Sequence, residues 1–127
     1  MKKNLFSFYL LGLAGILFLA QSQAWAHAFL DQSEPKVGSS ITSAPAEIKL
    51  WFTQNLEPAF SLIEVKDADG NDVDKKDSHL GTKSKSLLSV SVPPLPPGTY
   101  TVMWHVVSVD THKTQGHFQF TIKPEQK

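Results

Sequence analysis

The 127-residue sequence contains no cysteine and no arginine, and only two methionines. Without cysteine there is no disulfide, zinc–thiolate site, iron–sulfur cluster or thiol nucleophile. All twelve cationic side chains are lysines, and twelve carboxylates balance them, so the formal net charge is zero. A chain with no basic excess has no electrostatic footprint for nucleic acid, and that partner class is set aside. Low-complexity composition is also missing. With 41% apolar residues, eight prolines and seven glycines, the chain reads as one ordinary globular domain. No segment shows an amphipathic helical period, and no internal repeat is visible.

The first 26 residues read as an export signal. Met1-Lys2-Lys3-Asn4 is a short positive segment. Leu5 to Ala20 is almost wholly apolar, and shorter than the roughly 20 residues a spanning helix needs. Ala24-Trp25-Ala26 places small residues at −3 and −1 of a cut before His27. The expected organisation is a cleaved signal at 1–26, a β domain at 27–124 and a short tail at 125–127. Cleavage removes Lys2 and Lys3 and leaves a slightly acidic protein outside the cytoplasm. It also makes His27 the first residue. A terminal histidine offers an imidazole and an α-amine on neighbouring atoms, and the amine pKa of about 7.7–8.0 lets it yield its proton to a metal near neutral pH.

The rest alternates with period two. Ala46, Ile48, Leu50 and Phe52 interleave with Glu47, Lys49, Trp51 and Thr53. Phe60 to Val65 is a second apolar run, and alternating runs cover Leu88 to Val92, Tyr100 to Val107 and Phe118 to Ile122. Turn clusters bound them, notably Asp67-Ala68-Asp69-Gly70-Asn71 and the stiff Pro93 to Gly98 stretch. About seven antiparallel strands in about 100 residues predict an all-β, immunoglobulin-like Greek-key sandwich or barrel. Tyr100, just past the Pro-Gly corner, is placed to bond back across it as a tyrosine corner. Trp104 is expected in the core.

All five histidines lie after the signal. Asp110 and His112 are two residues apart, and in an extended segment such side chains point the same way. With His27 they form a set of amine, two imidazoles and a carboxylate. Mixed nitrogen and oxygen donors favour Cu(II), with Ni(II) weaker, while Zn(II) would accept them as a tetrahedron. His79 sits among lysines and serines and reads as a solvated surface residue. His105 reads as a surface residue or a supporting neighbour of the site, and His117 as structural or exposed. Phe29 and Trp51 read as packing residues, either of which could shield a metal. The Asp67 to Asp72 cluster lacks the spacing and closing glutamate of a calcium loop and reads as a hairpin turn.

Several stretches together resemble the CopC family of periplasmic copper-resistance proteins. They are His27-Ala28-Phe29-Leu30, Ser33-Glu34-Pro35, Ile48-Lys49-Leu50-Trp51-Phe52, Asn55-Leu56-Glu57, Pro97-Gly98-Thr99-Tyr100-Thr101-Val102, Trp104 and Ser108 to His112. The resemblance covers nearly all of the chain after the signal. It implies a seven-stranded β fold and a mononuclear Cu(II) site on His27, Asp110 and His112, with one copper per chain. It implies a soluble monomeric carrier in the periplasm, working beside an inner-membrane copper transporter, and not an enzyme. Some family members hold Cu(I) in a methionine-rich loop. Here Asp67 to Ser86 contains no methionine, so the resemblance is to the Cu(II)-only kind. Gln54 stands where some relatives have an acidic residue. Two other classes stay open on the residues alone: a histidine-brace copper monooxygenase and a metal-free immunoglobulin-like interaction module.

Overall fold

The computed structural model describes residues 28–126. The signal segment and His27 lie outside them. The strands are β1 (Leu30–Glu34), β2 (Ser40–Ile41), β3 (Glu47–Phe52), β4 (Leu62–Lys66), β5 (His79–Leu80), β6 (Leu87–Ser91), β7 (Gly98–Val107) and β8 (Lys113–Ile122). A single 3-10 turn at Pro58–Phe60 is the one helical element among the described residues. The strands form two four-stranded sheets, ordered β1-β3-β6-β5 and β2-β8-β7-β4. The all-β sandwich expected from period-two alternation is the observed architecture. One pairing departs from the antiparallel rule, because the two-residue β2 runs parallel to β8.

Alternation decides which side chains fill the space between the sheets. Ile48, Leu50, Phe52, Leu88 and Val90 from one sheet are buried against Ile63, Val65, Val102, Val106, Phe118 and Phe120 from the other. The corner before β7 is closed as anticipated. The Tyr100 hydroxyl donates to the Pro96 carbonyl at 2.5 Å, and its ring stacks on Phe120 at 5.5 Å. Burial pushes the Tyr100 phenol above its ordinary pKa.

Trp104 is half-buried at the margin of this core, edge-on to Phe52 at 6.3 Å and tilted on Phe118 at 6.1 Å. Its register partner on β8 is Gly116. A Cβ at Gly116 would stand 2.3 Å from the indole Cζ2, so the glycine is what admits the ring there. The Asp67 cluster is a turn. One carboxylate oxygen of Asp67 accepts from the Asp69 and Asn71 amides at 2.9 and 3.0 Å, and Gly70 sits at φ +83°.

Candidate metal centre

The longest ladder in the molecule pairs β7 with β8 over ten residues, from Gly98 opposite Ile122 to Val107 opposite Lys113. Asp110 and His112 sit in the connection that closes it. This connection is a turn, and the extended geometry expected of the D-x-H spacing is not what brings the two side chains together. Thr111 between them adopts φ +73°. A β-branched residue rarely occupies that region, and holding it there costs about 1–3 kcal/mol. The turn is over-determined by hydrogen bonds. The Ser108 amide donates to the His112 carbonyl at 3.0 Å, and the Thr111 amide donates to the Ser108 carbonyl at 2.9 Å. Ser108 is fully buried and forms a bridge to Leu56, while the Val109 amide donates to the Asn55 carbonyl at 3.0 Å.

The result is a convergent pair. Asp110 Oδ1 lies 3.2 Å from His112 Nδ1, and both side chains are 44% exposed. The Ser108 hydroxyl donates to the same Asp110 oxygen. That hydroxyl, followed by the His112 imidazole, holds the Asp110 carboxyl below its ordinary pKa. The group is therefore a carboxylate, the form that ligates metal. Two donors bound at right angles to one ion, each about 2.0–2.2 Å away, stand about 3 Å apart. The Asp110–His112 spacing fits such neighbouring positions on a single ion.

The third expected donor, His27, lies outside the described residues, but the chain just after it is firmly seated. Ala28 is 1% exposed. Its carbonyl accepts from the Thr114 hydroxyl at 2.8 Å, two residues beyond His112. The Phe29 amide donates to Thr53 Oγ1 at 3.0 Å, and the Thr53 amide donates back to the Phe29 carbonyl at 2.9 Å. Phe29 itself is exposed, as is Gln54, which lies between Thr53 and Asn55. Among the described residues, no three of His, Cys, Asp and Glu converge on one point. Asp110 and His112 thus form a two-donor half-site in this part of the chain.

The remaining histidines separate clearly. His79 is exposed on β5, with Nδ1 2.9 Å from the Asp77 carbonyl oxygen. His105 and His117 are exposed on the outer face of the second sheet. His105 lines an open cleft with Glu57, Phe60, Thr111, Lys113 and Gln115, directly beside the turn. Ser108, Thr53 and Thr114 are the supporting residues that sequence reasoning passed over as contributors to the site. Only Ser108 carried a signal, as the first residue of the Ser-x-Asp-x-His stretch. The bonds of Thr53 and Thr114 link segments 24 and 86 residues apart, and no local pattern encodes them.

The CopC domain model matches residues 30–123. The chain is 37% identical over 106 residues to protein YobA of Escherichia coli K12, covering 83% of this chain and 86% of that one. It is 36% identical over 111 residues to copper resistance protein C of Xanthomonas campestris pv. juglandis, covering 83% and 87%. The crystal structure of CopC from Methylosinus trichosporium OB3b superposes with a TM-score of 0.74 at 30% identity, over 80% of this chain and 98% of that one. Fold, motif order and sequence identity agree, and the chain belongs to the CopC family of copper-resistance proteins.

Proposed function

We propose that this protein is an exported Cu(II) carrier that sequesters copper or hands it on, without turnover. One Cu(II) per chain is held by the His27 α-amine and ring nitrogen, Asp110 and His112. The observation that carries this reading is the Asp110–His112 pair at 3.2 Å, tied into a turn whose neighbour Thr114 grips Ala28. Consecutive Cα atoms are about 3.8 Å apart, so fixing Ala28 restricts where the preceding residue can lie. The donor set is nitrogen and oxygen only, which suits Cu(II) over softer ions. Copper homeostasis follows from the family. The periplasmic setting rests on the signal-like first 26 residues. An inner-membrane copper transporter is the proposed exchange partner, and the carrier acts as a soluble monomer.

The amine and both imidazoles must be deprotonated to bind, so affinity falls with pH. The Asp110 carboxyl is already held below its usual range and stays ionised further into acid. The nitrogen donors are therefore the groups at which protons compete with copper as the pH falls.

The test is an EPR-monitored Cu(II) titration of two chains, one starting at His27 and one carrying a single extra Gly before it. A one-to-one tetragonal signal with nitrogen couplings in the first chain only makes the His27 amine a ligand. Equal spectra and affinity from both chains would place the metal elsewhere. Absence of tight binding by either would leave a metal-free interaction module.

A further inference from the structure

The last strand of a sheet presents a row of N–H and C=O groups that pair with another chain unless something covers them. The second sheet ends at β4, and residues 72–78 run along its outer edge. They meet β4 through a single bridge, Lys66 to Asp72, and fill its other hydrogen bonds one at a time. The Ile63 amide donates to Ser78 Oγ at 2.9 Å, and that hydroxyl donates to the Ile63 carbonyl at 3.4 Å. The Val65 amide donates to Asp74 Oδ1 at 2.8 Å, and the Val73 amide donates to the Val65 carbonyl at 2.8 Å. Lys66 Nζ meets Asp72 Oδ1 at 2.9 Å. The same segment reaches the other sheet. The Lys75 amide donates to the Ser91 carbonyl at 2.9 Å, and the Ser91 amide donates to Asp77 Oδ1 at 2.8 Å. Residues 72–78 thus form a strap from β4 of one sheet to the end of β6 in the other.

The strap is held lightly. Asp72, Lys75, Lys76 and Asp77 are exposed, and of residues 72–78 only Val73 packs on the core. Lys76 adopts φ +58°, a region that few residues other than glycine, asparagine and aspartate occupy. Its amide is pinned there by donating to Asp74 Oδ2 at 3.1 Å. A segment with few apolar contacts and a strained backbone opens before the rest of a fold. Release bares the outer amides and carbonyls of Ile63 and Val65.

A second β4 fits that edge. In an antiparallel ladder, residues whose polar groups point at the partner strand pair with residues that point back. Val65 set opposite its own copy meets this rule, since its amide and carbonyl both point outward. That register places Glu64 opposite Lys66 of the second copy, twice by two-fold symmetry. Opposite charges directly across a ladder stabilise it. Glu64 and Lys66 are half-buried on the outer face, while Ile63 and Val65 are buried in the core.

We propose that the β4 edge is a self-pairing surface covered by the 72–78 strap, and that a second copy of this chain binds it, antiparallel about Val65, when the strap is released. This surface is independent of the proposed copper site. The chain starting at His27 is compared with variants by size-exclusion chromatography and light scattering over a concentration series. The parent is expected to be a monomer, and D74A/S78A a concentration-dependent dimer. Adding K66E should return that variant to a monomer, because it sets like charges across the ladder. Adding E64K as well should restore the dimer.

Hydrogen exchange tests the strap separately. S78A alone should speed exchange of the Ile63 amide about tenfold, with the Val102 and Phe118 amides unchanged. Equal acceleration of all three amides would report global opening and overturn the strap. A parent that is already dimeric would overturn the covering role. A D74A/S78A variant that is folded by circular dichroism yet monomeric, or a dimer indifferent to K66E, would overturn the self-pairing surface. Should D74A/S78A not fold, the same sizing series is read on S78A, with the same two outcomes.

Discussion

The β7–β8 ladder ends in two different ways. At one end Pro96, Pro97 and Gly98 lead into Tyr100, whose ring is buried and whose hydroxyl closes on Pro96. At the other end Ser108 to His112 form a polar, half-exposed turn with Thr111 in a sparsely allowed conformation. The first end meets its polar need internally. The second spends backbone hydrogen bonds to hold a carboxylate and an imidazole together in the open. One pair of strands thus separates stability from chemistry by about ten residues of ladder. A rigid scaffold carrying reactive groups on its connections is the general pattern.

That contrast can be broken in order of expected effect. Gly116→Ala acts between the two ends, where the new Cβ would collide with Trp104. Overpacking of this kind costs about 1–3 kcal/mol. A lowered midpoint in urea unfolding is expected, and an unchanged midpoint would mean the indole moves aside freely. Ser108→Ala acts on the turn alone. Removing the hydroxyl that feeds Asp110 should raise the carboxyl pKa toward its ordinary value. Cu(II) affinity should fall about 10–100-fold, with copper lost at higher pH, as read by titration at several pH values. Equal affinity would assign Asp110 orientation to the backbone instead. Tyr100→Phe acts on the corner alone. It removes one hydrogen bond and leaves the Pro96 carbonyl without its donor, a loss of about 1 kcal/mol. Thermal unfolding should shift down while the copper spectrum stays the same. A changed spectrum would show that the two ends are coupled.

The sheet framework was legible because its strands alternate so regularly. β3, β6, β7 and β8 fall where apolar and polar residues interleave. β1 was not legible, since its pairing with β3 shifts between Leu30 and Gln32 and only Ser33 of its five residues is buried. The two-residue β2 and β5 are too short to show any period. At the candidate site, the closeness of Asp110 and His112 was legible in their spacing, although a positive-φ turn and not a pleat unites them. Thr53 and Thr114 were not found, because a hydroxyl bonding a distant backbone atom leaves no trace in local sequence.

By itself the sequence determined the class of the protein. Period-two hydrophobicity fixes which faces are buried, the absence of cysteine fixes the absence of thiol chemistry, and the D-x-H pair fixes the kind of donor. The tertiary structure decided what those donors meet. Register alone sets Met103 against His117, fourteen positions away in the chain, and long-range hydrogen bonds alone hold Ala28 beside the Ser108–His112 turn. Burial and period are local properties of a strand. Register and cross-sheet contact are fixed only when every strand has found its partner.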